Sequence, residues 1–208
     1  MNEQISRTSV RVVGLVGSLR TVSYTRMAVK LALAGAAKLG AETQLIDLRD
    51  YDLIFCDGET DDADLPSDVR RLQAEVQAAD GIILGTPDYH GSYSGVLKNA
   101  LDLMGFTEFG GKVIGLVAVA GGALGGTNAL ACLRTVCRAL HGWVVPEQVA
   151  VPQASRQFDA AGNPLDDALA RRLEKVGGEV ARFAFLHSSQ QAREFLQEWE
   201  NAVQNPGG

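Results

Sequence analysis

Short runs of consecutive apolar residues recur along the chain, with helical spacings filling the intervals between them. Residues 10–16, 81–84, 113–119 and 144–151 are each rich in Val, Ile or Leu, and residues 42–48 form a weaker fifth run. Runs with so little alternation suit strands covered on both faces, as in a parallel sheet. After the first run, Ala28, Leu31, Ala32 and Leu39 share one helical face; after the run at 81–84, Val96, Ala100, Leu103 and Met104 do the same. Further on, Leu169, Leu173, Val176, Val180 and Phe183 recur at spacings of four and three, although Gly177 and Gly178 weaken helix propensity there. The alternation of strand and helix predicts a parallel sheet with helices on both faces.

Two segments depart from this rhythm. Residues 57–66 form an acidic loop, and its Gly58 is misplaced for a calcium-binding loop, so a solvated connection is expected. Residues 190–203 place Phe195, Trp199, Ala202 and Val203 at helical spacing, as a late helix that caps the domain or packs on another subunit would. The expected organisation is an N-terminal extension (1–9), one α/β domain (10–187) and a helical tail (188–208).

Charge and composition narrow the classes. The chain has 208 residues, a net charge of −6 and no cluster of Lys or Arg, so a nucleic-acid partner is not expected. A small anion remains compatible, because backbone N–H groups bind phosphate without net positive charge. Cys56, Cys132 and Cys137 contain no C-x-x-C pair and imply neither a disulfide framework nor a zinc site. The first residues lack a signal-peptide core and no run reaches membrane-spanning length, so a cytoplasmic protein with no membrane partner is expected.

In open α/β sheets, ligands bind outside the carboxyl ends of the strands, near the point where strand order reverses. Three loops there carry candidate chemistry. Residues 17–25 run from a strand into a helix and bring Ser18, Arg20, Ser23, Tyr24 and Thr25 to a helix N-terminus, where unpaired N–H groups and the dipole favour a phosphate. Ser23 fits a simple N-cap equally well. The loop is neither G-x-G-x-x-G nor Walker A, which disfavours classical NAD and ATP sites. Residues 86–95 combine Pro87, Asp88, Tyr89, His90 and Gly91 in a turn where a flat ligand can lie against backbone, and Ser92 or Ser94 can cap the helix that follows. Residues 120–127 carry Gly121, Gly122, Gly125 and Gly126, which imply positive φ or close backbone approach.

Gly17-Ser18-Leu19-Arg20 with Ser23, and Thr86-Pro87-Asp88-Tyr89 through Gly95-Val96-Leu97-Lys98-Asn99, resemble the NADPH-dependent FMN reductase family, which includes chromate- and quinone-reducing members. The resemblance spans residues 10–187. It implies a flavodoxin-like three-layer α/β/α fold with a five-stranded parallel sheet in the order 2-1-3-4-5. It also implies FMN as cofactor and NADPH or NADH as electron donor. Ser18, Arg20, Ser23 and Thr25 would hold the phosphate, beside Tyr24. Pro87, Asp88, Tyr89, His90 and Gly91 would meet the ring or ribityl chain, and Gly121 and Gly122 its pyrimidine side. The family commonly carries Asn where this chain has Thr25.

The implied activity is an NAD(P)H-dependent flavin reductase working by ping-pong. Its acceptor is a small molecule such as free flavin, quinone, azo dye or metal oxyanion, and no Ser-His-Asp or metal-ligand constellation is needed. Assembly as a homodimer or homotetramer goes with it. The alternative is a flavodoxin-type one-electron carrier that does not itself oxidise NAD(P)H.

Overall fold

The computed structural model describes residues 9–59 and 64–201. Along them run β1 (Arg11–Val16), α1 (Tyr24–Ala37), β2 (Glu42–Asp47), α2 (Ser67–Gln77), β3 (Gly81–Pro87), α3 (Gly95–Asp102) and the short α4 (Phe106–Phe109). There follow β4 (Val113–Val119), α5 (Thr127–Ala139), β5 (Trp143–Val151), α6 (Asp167–Ser188) and α7 (Gln190–Glu200). All strand pairings are parallel and the order is β2-β1-β3-β4-β5, the flavodoxin-like arrangement. The chain winds from β1 outward to β2 and then crosses to β3 on the other side of β1. The switch point therefore lies between β1 and β3.

The period of two along the strands divides the core. Val12, Val16, Ile83, Val113 and Val117 pack with α1 and α6 on one face. Val13, Leu15, Ile82, Leu84, Ile114 and Leu116 pack with α2, α3 and α5 on the other. Each such fully buried side chain contributes about 1.5–3 kcal/mol. On the first face the helix comes close to the sheet: a Cβ at Gly85 would lie 2.2 Å from Val29 Cγ2, and one at Gly14 would lie 2.5 Å from Val29 Cγ1. Missing side chains in β1 and β3 thus let α1 settle directly over the switch point.

The edges are irregular where the chain has reason to be. The β4–β5 register shifts between Ile114 and Leu116, opposite Pro146, which cannot donate to a ladder. Arg134 of α5 donates to the carbonyls of Val145 and Pro146 at 2.9 and 3.1 Å, satisfying acceptors that the bulge releases.

Several sequence expectations shift. Leu39 leaves the α1 face: the bonds Gly40 N to Ala37 O and Ala41 N to Ala36 O close the helix, Gly40 turns at φ 86°, and Leu39 is exposed. On α3 the inward face is Leu97, Ala100 and Leu101, continued by Met104, while Val96 is half-buried. The Ser94 hydroxyl, bonded to Gly17 O, sets how this helix starts and so which face turns inward. The run at 81–84 continues as strand through Pro87, which pairs with Val119. Gly177 and Gly178 lie within an uninterrupted α6.

The late helix forms as α7, capped by Ser189, whose hydroxyl accepts from Ala192 N at 3.2 Å. Ala202 and Val203 lie outside the described residues, as do residues 60–63 of the acidic loop and all of the N-terminal extension except Ser9. No helix among the described residues is long and apolar enough to cross a membrane.

Candidate functional site

The strand-to-helix connections after β1, β3 and β4 meet at the carboxyl end of the sheet. The first loop is tied down through its carbonyl groups. Gly17 N donates to Gly85 O at 2.8 Å, while Gly17 O accepts from the Ser94 hydroxyl at 2.6 Å. Arg26, in the first turn of α1, donates to Thr21 O at 3.1 Å and Arg20 O at 3.3 Å, and its Nε is paired with the Asp47 carboxylate at the end of β2. The N–H side of the loop is left free. Among the described residues, no backbone N–H from Ser18 through Thr25 donates to a protein acceptor.

Ser23 is the N-cap of α1 and its hydroxyl accepts from Arg26 N at 3.1 Å; its lone hydroxyl proton is still available to a ligand. Ser18 and Thr25 are buried at 3% and 2% exposure, and neither hydroxyl bonds a protein group among the described residues. Arg20 is exposed. No acidic residue stands in the first turn of α1, so nothing there competes with an anion for the helix dipole.

The second loop is a tight turn. Tyr89 and Ser92 exchange both backbone bonds, at 2.9 and 3.2 Å, and His90 and Gly91 between them have φ of 56° and 81°. Two successive left-handed residues make a primed turn of the kind used in hairpins. Asp88 organises it: its N–H reaches Val119 O at 2.8 Å, and its Oδ1 accepts from Gly91 N at 2.9 Å. Pro87 is buried as the last residue of β3, whereas Tyr89, His90 and Gly91 are exposed at the rim.

The third loop divides into two pairs of glycines with different duties. Gly125 and Gly126 are buried, at φ of 67° and 87°, and a Cβ on Gly126 would lie 2.9 Å from Ala118 Cβ and 3.2 Å from Asp88 Cβ. They let the chain turn into α5 against the second loop. At Gly121 and Gly122 a Cβ would meet nothing within 4 Å, so this stretch presents bare peptide to open space. Among the described residues the N–H groups of Gly121 through Gly126 also donate to no protein acceptor.

A fourth connection, between β5 and α6, completes the rim. Gln153 N donates to Gly122 O at 3.1 Å and Ala154 N to Ala120 O at 3.0 Å. The segment then doubles back through the Phe158–Pro164 bridge, and Phe158 stacks on Tyr24 at 5.9 Å. Asn163 donates to Asp159 through its side-chain amide and its backbone N–H, holding that carboxyl below its ordinary range.

The structure therefore brings the candidate residues of the three loops to one end of the sheet, in different roles. Ser18, Ser23 and Thr25 line the first loop from within, and Arg20 stands outside it. Asp88 braces the turn, and Gly121 and Gly122 form the open floor. Sequence reading missed the braces Arg26, Asp47 and Asn128. The Asn128 amide donates to Gly91 O and ties α5 to the second loop. No local motif marks these residues, because each acts through a partner distant in sequence. A separate cavity of about 520 Å3, lined by Val10, Leu39, Phe185 and Leu186, opens at the opposite end of the strands.

A parallel 2-1-3-4-5 sheet, with unclaimed N–H groups after its first strand and bare peptide after its fourth, has the arrangement of the flavodoxin-like class, whose ligands bind at this end of the sheet. The model of the NADPH-dependent FMN reductase family matches residues 10–156. The chain belongs to that family. It is 36% identical to the FMN-dependent NADPH-azoreductase of Staphylococcus haemolyticus over 156 residues, 74% of this chain and 79% of that one. It is 41% identical to an NADPH azoreductase of Bacillus sp. (strain OY1-2) over 110 residues, 53% of this chain, and there spans 61% of the relative's length. Among solved structures, the flavoenzyme NAD(P)H:(acceptor) oxidoreductase FerB of Paracoccus denitrificans superposes with a TM-score of 0.70, at 24% identity, covering 86% of this chain and 98% of that one.

Proposed function

We propose that this protein is an FMN-dependent oxidoreductase that takes hydride from NADPH and passes reducing equivalents to small acceptors, azo compounds foremost. One observation carries the reading: in the loop of residues 17–25 the carbonyls of Gly17, Arg20 and Thr21 are claimed by Ser94 and Arg26, while the N–H groups of residues 18–25 are unclaimed at a helix N-terminus. That is the donor set a phosphate monoester needs.

Ser18, Arg20, Ser23 and Thr25 would hold the FMN phosphate, with Tyr24 backed by Phe158 beside them. Pro87, Asp88, Tyr89, His90 and Gly91 would wall the ribityl chain and ring, and Gly121 and Gly122 would lie under the ring's pyrimidine edge. Bound FMN supplies the hydride chemistry, which side chains cannot. The peptide N–H groups of residues 121–126, unclaimed by the protein, would supply fixed dipoles beside the bound group. Asp88 and Asn128 hold the second loop against the third, so the floor and wall keep their spacing.

The azo acceptor is supported by the two azoreductase relatives, and an exposed floor suits acceptors of varied shape. Assembly as a homodimer or homotetramer is part of the proposal, supported by Phe195 and Trp199 on α7, which are 64% and 47% exposed. The segment of residues 96–104 is the second candidate interface. Residues 10–187 would form the catalytic unit and residues 188–208 an appended tail. Three free cysteines accord with a cytoplasmic setting.

Anaerobic absorbance spectroscopy of the FMN-loaded protein tests the reading. NADPH is expected to bleach the flavin band within one mixing time, and an azo dye to restore it. A flavin band indifferent to NADPH and NADH would overturn the reductase assignment, and failure to bind FMN would overturn the cofactor site.

A further inference from the structure

Arg26 makes three bonds at once with one rigid group. Its Nε pairs with Asp47, Nη1 donates to Thr21 O at 3.1 Å, and Nη2 donates to Arg20 O at 3.3 Å. The pair is largely sheltered, with side-chain exposures of 16% for Arg26 and 13% for Asp47. Asp47 is held from both sides. It ends β2 in register with Val16, the residue just before the loop, and its Oδ1 accepts from Arg49 N at 3.2 Å.

The peptide group is planar and trans, so the carbonyl of one residue and the N–H of the next point in opposite directions. Drawing Arg20 O and Thr21 O onto the guanidinium therefore turns Thr21 N–H and Val22 N–H away from it, toward the open side of the loop. Ser94, by holding Gly17 O, does the same for Ser18 N–H. A flexible ammonium cannot reproduce this planar fork, because it presents a point charge without fixed donor directions.

We infer that Arg26, locked by Asp47, is a positioning residue that aims the backbone N–H groups of residues 21 and 22 at the phosphate and thereby sets the preference for FMN over riboflavin. The inference rests on the FMN reading of this loop and adds a determinant of specificity outside the phosphate contacts themselves. Arg26 acts through the loop backbone, not by lending charge. The two roles differ in what removal of the Asp47 charge does. A charge role makes Asp47→Asn bind FMN more tightly, since a neutralising carboxylate is gone. A positioning role makes it bind FMN less tightly, since the fork loses its anchor.

The test measures dissociation constants for FMN and for riboflavin by quenching of flavin fluorescence, in the wild type, Arg26→Lys and Asp47→Asn. Far-UV circular dichroism and thermal midpoints accompany each variant. The ratio of riboflavin to FMN dissociation constants is expected to fall about tenfold in both variants, with riboflavin binding little changed. An unchanged ratio would overturn the inference, as would a ratio raised by Asp47→Asn, or equal weakening of both flavins. A wild type that binds neither flavin, or binds both alike, would instead remove the FMN reading on which the inference stands.

Discussion

Gly35 of α1 and Gly177 of α6 meet at one helix crossing: a Cβ at Gly177 would lie 1.7 Å from the Ala32 carbonyl oxygen, and one at Gly35 would lie 1.9 Å from that of Glu174. The two backbones touch with no side chain between them. This crossing fixes α1 against α6, and α1 carries the candidate phosphate loop at its N-terminus. Two glycines that look like weak points for helix propensity are thus what permits the closest helix contact in this layer.

The neighbouring Gly178 supplies the contrast. The nearest side-chain atom to a Cβ there is Leu39 Cδ1, at 3.6 Å. Gly178→Ala is expected to stabilise the fold by about 0.5–1 kcal/mol through helix propensity. Gly177→Ala must push backbone against backbone, and is expected to cost about 3 kcal/mol or more. Urea unfolding midpoints of the two variants, one residue apart, check the crossing directly.

The third loop separates folding from binding. Gly122→Val meets no neighbour within 4 Å, and Gly122 is not at positive φ, so stability should stay within about 0.5 kcal/mol of wild type. The added side chain stands on the proposed flavin floor, so FMN affinity should fall at least about tenfold, an energy of about 1.4 kcal/mol. Gly126→Ala should do the reverse in order, losing stability first. Its φ is 87° and its Cβ would press on Ala118 and Asp88. Calorimetry with FMN and thermal melts of both variants distinguish the outcomes.

His90 is a turn residue by its geometry. It is exposed, sits at φ 56° and shares the primed turn with Gly91. Asn tolerates that conformation better than His. His90→Asn keeps the turn backbone that would wall the flavin, so it should hold or raise stability by up to about 0.5 kcal/mol and leave the rate of flavin reduction within about twofold. A rate lost by about a hundredfold, read in stopped-flow with NADPH, would make His90 a participant in the chemistry.

Alkaline stability follows from Cys137. Burial raises its thiol from 9.0 to about 12, while the unfolded chain ionises near the ordinary value. Between those values the unfolded state has released a proton that the native state retains. The stability the thiol contributes is complete below about pH 9 and is lost as pH rises toward about 12. Tyr51 adds loss in the same direction above about pH 10, its phenol also raised by burial and by Glu75. Lys112 opposes both, because burial lowers it to about 8, so the unfolded state binds more protons just above that pH. Cys137→Ala should be less stable at about pH 8 but lose less on going to about pH 11, as measured by urea midpoints across that range.

Much of the architecture was legible along the chain. Apolar runs such as residues 113–119 mark strands covered on both faces, and their alternation with helical spacings leaves a parallel sheet as the economical arrangement. The loops at 17–25, 86–95 and 120–127 announced themselves by Ser, Thr, Pro and Gly, since turn chemistry and helix capping depend on neighbours in sequence. Tertiary structure decided the rest. Leu39 turned outward and Val96 was left half-buried because a glycine closure and the Ser94–Gly17 bond set where those helices stop and start. Arg26 and Asp47 became braces only because parallel pairing places the end of β2 beside the end of β1. The role of Gly177 emerged only when α1 crossed it. Periodicity and turn chemistry are local and survive in one dimension, whereas a brace or a backbone crossing joins residues that only the folded chain makes neighbours.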